Sequence, residues 1–170
     1  MEIKNILFAT DFSTASKKAA SYAADLAKRY GATLYILHVI QDIEKITEWY
    51  APKVSLSELH KVMEEKSRQE LLNCCKDGLD GYEKVEYRLI KGVPAEEILK
   101  FQQNNNIGMI VIGVHGKKLS GKVDMFGITM DALINHSRCP VLTVTITDEE
   151  IEKMKESKDP KLCSDGEIRL

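Results

Sequence analysis

One stretch of this chain concentrates the residues suited to holding an anion: Gly113-Val114-His115-Gly116-Lys117-Lys118-Leu119-Ser120-Gly121-Lys122-Val123-Asp124-Met125-Phe126-Gly127-Ile128-Thr129. It leaves an apolar run that ends at Ile112 and enters a helical pattern. Glycine lets the backbone turn tightly and lets peptide N–H groups approach a ligand with no Cβ between them. A helix starting near Gly127 leaves its first N–H groups without intrahelical acceptors, and its dipole favours negative charge. Lys117, Lys118 and Lys122 add positive charge against the single Asp124. These are the parts of a di- or triphosphate site. A plainer reading fits the same residues, because glycine commonly punctuates the end of a strand and surface lysines face water.

A second feature is Asp11, directly after Thr10 and the apolar run Ile6-Leu7-Phe8-Ala9. A carboxylate there could hold ribose hydroxyls or a nucleotide-bound metal ion. It could equally cap the next helix, since Asp before a helix satisfies orphan amides. His38 lies toward the end of a second apolar run and reads as a hydrogen-bonded structural histidine. His115 lies inside the glycine-bearing loop, placed to orient it. His60 and His136 fall in helical stretches and carry no signal. No Ser-His-Asp or Cys-His set occurs in recognisable context, and no residue stands out as a water-positioning base. Catalytic residues are therefore not assigned, and slow ATP hydrolysis is the most that the loop lysines would support.

Both features need a scaffold that brings strand ends together. Ile6–Ala9 reads as a buried strand. Ser13 to Tyr30 follows as a helix with Ala15, Ala19, Tyr22, Ala23, Leu26 and Tyr30 on one face, Ser13 or Thr14 capping its start and Gly31 its end. Thr33–Ile40 is a second strand. Residues 41–55 mix charge with Trp49, Tyr50 and Pro52 and read as a loop. Ser55 and Glu58 have capping-box spacing for a helix running to Lys76, with Gly78 ending it. Lys84–Ile90 alternates as a strand with one less buried face, and Pro94 opens a helix reaching about Asn105. Met109–Ile112 is another apolar strand. A helix bearing Met130, Leu133 and Ile134 and a last strand, Val141–Ile146, complete the series. Strict βαβαβαβαβ alternation predicts an open, mainly parallel sheet with helices on both faces. In such sheets ligands bind beyond the carboxyl ends of the strands, where neighbouring connections diverge. The loops after Ala9 and after Ile112 are thus the expected crevice. From Thr147 the chain turns charged, with Thr147 and Glu150 spaced to cap one short helix, so the domain is expected over 1–146 and a tail over 147–170.

Bulk properties narrow the setting. The 170 residues suit one domain, and 29% charged residues with a net charge of −2 give no concentrated basic face for nucleic acid. No apolar run approaches the roughly 18 residues of a membrane span, and the short run at Ile6 is not a signal-peptide core. A cytoplasmic location is expected. Of the four cysteines, Cys74 and Cys75 are adjacent, and Cys139 and Cys163 lack zinc-site spacing, so all read as reduced thiols.

Four segments in chain order resemble the universal stress proteins: Asn5-Ile6-Leu7-Phe8-Ala9-Thr10-Asp11-Phe12-Ser13, then Leu37-His38-Val39-Ile40, then Gly113-Val114-His115-Gly116 followed by Cys139-Pro140-Val141-Leu142. The likeness extends over about residues 3–146. It implies a Rossmann-like sheet of order 3-2-1-4-5 and a stress-response regulatory role exerted through homodimer or partner contacts. The dimer would join along Val141–Ile146, whose edge is otherwise unpaired. Nucleotide-binding members carry Gly-x2-Gly-x9-Gly followed by Ser or Thr. Carried over, the resemblance implies ATP or another adenine nucleotide, with magnesium as the accompanying ion. That ligand would lie against Thr10, Asp11, Val39, Ile112, Gly113, His115, Gly116, Lys117, Gly127, Ile128 and Thr129, with the Val39 backbone at the adenine. Two departures stand out: ten residues separate Gly116 from Gly127, and Ile128 occupies the hydroxyl position, with Thr129 one step later. A lost hydroxyl–phosphate bond costs about 1.5–3 kcal/mol, tenfold or more in affinity. The backbone amides remain, so weakened binding is expected; the alternative is a nucleotide-independent dimeric interaction protein with no cofactor.

Overall fold

Five short strands rich in β-branched and apolar residues form a single sheet: β1 (Asn5–Ala9), β2 (Thr33–Ile40), β3 (Val85–Lys91), β4 (Met109–His115) and β5 (Val141–Ile146). The computed structural model describes residues 2–41, 56–115, 127–147, 149–150 and 152. The strand order is β3-β2-β1-β4-β5 and every pairing is parallel. Ala9 pairs with Leu37 on one side and Ile112 on the other, which fixes where β1 stops relative to its neighbours.

Alternate residues of a strand point to opposite faces, and both faces here are apolar. Ile6, Phe8, Leu34 and Ile36 pack with the alanines of α1 (Thr14–Tyr30) and with Leu71 of α2 (Leu56–Asn73). Leu7, Ala9 and Leu37 pack on the other face with Ile98 and Phe101 of α3 (Pro94–Asn104) and Leu133 of α4 (Ile128–His136). The connection after β1 therefore covers one face and the connection after β4 the other. These two strands are neighbours, so their carboxyl ends bound a cleft between diverging chains. The architecture expected from the alternation, and the order expected from the resemblance, are both present.

α1 is set by its caps and its small residues. Ser13 accepts from the Ser16 N–H at 3.3 Å, and Gly31 ends the helix at φ 60. Ala15, Ala19, Ala20, Ala23, Ala24 and Ala27 are buried, whereas Tyr22 and Tyr30 stand about half exposed. The inward face is thus an alanine stripe rotated from the face predicted, and it lets the helix lie close to the sheet. Gly113 shows how close, because a Cβ there would come within 2.4 Å of the Ala15 carbonyl carbon and oxygen.

Elsewhere the boundaries shift. β4 runs on to His115, so Gly113 lies inside the strand opposite Val144 rather than in a loop. α2 ends at Asn73, and a 3-10 turn over Lys76–Gly78 replaces its expected last turn. That tightening places both Cys75 and Leu79 in the core. Thr147 and Glu150 make the expected reciprocal cap: the Thr147 N–H donates to Glu150 Oε2 at 2.9 Å and the Glu150 N–H donates to Thr147 Oγ1 at 3.3 Å. Lys18 reaches over from α1 to Glu150 at 2.6 Å and to the Thr145 carbonyl at 2.9 Å, fastening this cap to the body. The loop expected over 41–55 lies outside the described residues from 42 onward, as does Ser55 at the expected helix cap, and so does the tail beyond 152. Cys74, Cys75 and Cys139 are free thiols; Cys163 is outside the described residues. Among the described residues, no helix is long and apolar enough to cross a membrane.

Candidate functional site

The cleft begins at Thr10, buried at the end of β1. Its N–H continues the ladder to the Leu37 carbonyl at 2.9 Å, and its Oγ1 accepts from the Phe12 N–H at 3.1 Å. Its carbonyl faces His38 Nδ1 at 2.7 Å; a carbonyl only accepts, so Nδ1 carries the proton. The chain then turns back through Phe12, which adopts φ 63, a left-handed conformation that a bulky residue enters at a cost. The Phe12 ring lies against the His38 ring with centroids 4.2 Å apart.

This turn aims Asp11. Oδ1 accepts from the Ser13 N–H at 3.0 Å and from Ser16 Oγ at 2.5 Å. Desolvation alone would raise the Asp11 pKa, but the bonds from Ser13 and Ser16 outweigh it and hold the carboxyl below its ordinary range. Every protein bond to this carboxylate falls on Oδ1; among the described residues none reaches Oδ2, and Asp11 is exposed. The two sequence readings of Asp11 are therefore compatible. One oxygen ties down the helix entrance, and the other meets no protein donor among the described residues.

Val39 supplies a second polar element through its backbone. In a parallel strand the N–H and C=O of one residue point to the same neighbour, and successive residues alternate neighbours. Thr33 and Leu37 of β2 bond toward β1, whereas Leu34 and Ile40 bond toward β3. Val39 shares the parity of Leu37, so its peptide groups point toward β1, which has already ended. The Thr10 carbonyl that would have continued the ladder is engaged by His38. Among the described residues no partner reaches the Val39 N–H or C=O. Together these form a donor–acceptor pair on the cleft wall.

On the far side, α4 opens at Gly127, an N-cap with no side chain to bond. The Gly127 carbonyl takes the Met130 N–H at 2.7 Å and the Asp131 N–H at 3.2 Å. The N–H groups of Ile128 and Thr129 meet no acceptor among the described residues. Ile128 is 88% exposed, and Thr129 is half-buried. A Cβ on Gly127 would meet nothing within 4 Å. Space around it does not require glycine, unlike Gly113.

The expected residues thus divide into groups. Thr10, Asp11 and Val39 line the end of β1. Ile112, Gly113 and the backbone of His115 belong to β4. Gly127, Ile128 and Thr129 form the start of α4. Gly116 and Lys117 lie outside the described residues. Gly113 approaches the α1 backbone with its bare Cα, so close helix–strand packing accounts for that glycine without a ligand. Sequence reasoning missed Ser16, buried in the first turn of α1, whose hydroxyl bonds both the Asp11 carboxylate and, at 3.4 Å, the Asp11 N–H. The available signal was a third hydroxyl in the run Ser13-Thr14-Ala15-Ser16. Phe12 and its stack on His38 left no trace in residue type or spacing.

Comparison with known proteins agrees with this architecture. The family model described as the universal stress protein family matches residues 2–145. Universal stress protein MJ0531 of Methanocaldococcus jannaschii is 28% identical over 141 residues, covering 83% of this chain and 81% of its own. The solved universal stress protein UspA of Lactobacillus plantarum aligns with a TM-score of 0.67 at 21% identity, over 85% of this chain and 99% of its own. A universal stress protein of Archaeoglobus fulgidus, solved in complex with dAMP, aligns with a TM-score of 0.57 at 16% identity, over 85% and 99% of the two chains.

Proposed function

The chain belongs to the universal stress protein family, and from that premise we propose that it is a stress-response regulatory protein that binds an adenine nucleotide in the cleft beyond β1. The observation that carries this reading is the pairing of an Asp11 Oδ2 that is unengaged among the described residues with the outward peptide of Val39 across the same strand end. An adenine edge presents one donor beside one acceptor, which matches a peptide N–H and C=O. A ribose presents hydroxyls, which a carboxylate oxygen accepts. The phosphates would extend toward the amides of Ile128 and Thr129 at the start of α4, which meet no acceptor among the described residues, with Gly116 and Lys117 as further contacts. The dAMP bound to the Archaeoglobus protein is a ligand of this chemical type.

Isothermal titration of the full chain with ATP, ADP and AMP, with and without magnesium, tests the reading. Saturable binding that Asp11→Asn weakens is the expected result. Absence of heat with all three at millimolar concentration overturns it.

Ile128 favours a second reading. An exposed apolar side chain at the mouth of the phosphate arm suits a nucleotide-independent interaction protein better than a phosphate site. In both readings the chain acts as a homodimer joined along β5 and through contacts with a protein partner, in the cytoplasm. Light scattering of the purified chain reports the dimer, and protein that releases no adenine nucleotide on denaturation favours this second reading.

A further inference from the structure

At the exit of α2, on the edge of the sheet opposite the cleft, two thiols lie side by side. Cys74 Sγ is 3.7 Å from Cys75 Sγ and 3.2 Å from the Leu71 carbonyl. Cys75 is buried in the core with Leu71 and Leu79, and Cys74 is partly exposed beside it. We propose that Cys74 and Cys75 form a two-sulfur chelating site for trivalent thiophilic species, specifically organoarsenicals of the type R–As=O.

The separation of the sulfurs carries the argument. Two sulfurs bound at about 2.3 Å to one pyramidal trivalent centre, at an angle of about 95–105°, lie about 3.4–3.6 Å apart. The thiols at 3.7 Å stand just outside that bite. A disulfide would instead require the sulfurs to close to about 2.05 Å, between Cα atoms that adjacency holds at about 3.8 Å, short of the usual range. Chelation therefore demands less movement than oxidation. The remaining surroundings select the type of centre. Among the described residues no cluster of three or more His, Cys, Asp or Glu side chains could hold a metal ion. A centre content with two protein sulfurs, which brings its own third substituent, suits the pair better than one needing four protein ligands.

The acid–base character of the pair agrees. The contact with the Cys75 thiol holds Cys74 below the ordinary thiol range, while the same contact and burial push Cys75 up. The more exposed sulfur is thus the readier nucleophile, and the inner one follows. The reaction balances without a redox partner. Each thiol forms one As–S bond, both As–O bonds break, the two thiol protons leave with the oxygen as water, and arsenic stays trivalent.

Phenylarsine oxide and intact-mass spectrometry of the native full chain provide the test. The expected product carries one phenylarsenic unit with one water lost, survives a monothiol in about 10²-fold excess, and is removed by a 1,2-dithiol. Joining two sulfurs in one site strengthens capture by about 10² or more, so Cys74→Ser should weaken retention by that factor. Cys75→Ala, which keeps an apolar side chain in the core, should do the same with an unchanged circular-dichroism spectrum. Cys139→Ser and Cys163→Ser should retain the adduct. An adduct that persists in Cys74→Ser, that monothiol strips from the unsubstituted chain, or that forms only in denaturant would overturn the proposal.

Discussion

The two ends of the cleft are built on opposite principles. After β1, each polar group of Thr10, and the N–H and Oδ1 of Asp11, has a protein partner. At the start of α4, the cap is a glycine, the first two amides meet no acceptor among the described residues, and an isoleucine faces outward. The first arm is fixed by the chain itself before any ligand arrives, so binding to it forfeits little conformational freedom. The second arm offers charge-seeking amides but no side-chain hydroxyl at the expected position. A ligand should accordingly be held more by its nucleoside than by its phosphates, and the following substitutions separate the two contributions.

The largest effect should come from the β4 glycine that packs against α1. Gly113→Val places a side chain against the Ala15 and Ser16 backbone at 2.4–2.5 Å, which neither helix nor strand can yield cheaply. Overpacking of this kind costs about 3 kcal/mol or more, and the thermal midpoint should fall by more than about 8 °C, or the chain should fail to fold. Gly127→Ala, with open space around it, should leave the midpoint within about 2 °C. Equal effects at the two positions would erase the distinction between a packing glycine and a permissive one.

Ile128→Ser is the next most informative change, because it restores the missing hydroxyl to the weaker arm. A hydrogen bond to a charged phosphate contributes about 1.5–3 kcal/mol, so ATP affinity should rise at least tenfold while adenosine affinity stays constant. Titration with both ligands reads the difference directly. A parallel rise for adenosine would mean that Ile128 obstructs the cleft rather than lacking a contact.

These contrasts also mark what could be read before any coordinates. Alternation of apolar runs and helical periods predicts the layered sheet, because burial on both faces leaves each strand little choice of residue. Ser13, Gly31 and the Thr147–Glu150 pair show their roles in sequence, since a cap acts over three or four residues. Asp11 stands out by its place directly after β1 and Val39 by family likeness, but the physical reason for Val39, a peptide left pointing past the end of β1, depends on register across strands. The inward face of α1 likewise depends on tertiary packing rather than on local sequence. Large Tyr22 and Tyr30 side chains suit a core by type, but the sheet approaches too closely to admit them. Gly113 looked like part of a phosphate loop because nothing local reveals a helix backbone pressing on it from 97 residues away.

Asp11→Asn tests the stronger arm from its charge. The amide oxygen can still accept from Ser13 and Ser16, so the fold should persist, while a nucleoside bound through the other oxygen should lose about tenfold in affinity. Stability should respond to acid in a defined direction. The folded carboxyl titrates below its unfolded counterpart, so its contribution is full above about pH 4 and disappears as pH falls through the folded value. The stability difference between the parent chain and Asp11→Asn should therefore shrink on acidification below pH ~4, measured by urea unfolding. A difference that grows in acid contradicts the assignment.

The finest probe of how the turn is held lies in its ring pair. Phe12 at φ 63 carries a left-handed penalty of about 1–2 kcal/mol, set against an aromatic stack on His38 of about 0.5–1.5 kcal/mol. Phe12→Gly removes both, and the two nearly cancel, but the half-buried ring also packs against the core, so folding stability should fall by about 1–3 kcal/mol. His38→Ala removes the stack and the bond to the Thr10 carbonyl while keeping the backbone strain, and should destabilise by about 1–2 kcal/mol. The double substitution separates the causes. If the ring stack is what holds the left-handed turn, the cost of His38→Ala should drop in the Phe12→Gly background, leaving only the lost hydrogen bond. Additive costs in urea unfolding would instead assign the turn to the bonds of Thr10, Asp11 and Ser16, and make the stack a consequence of the conformation rather than its support.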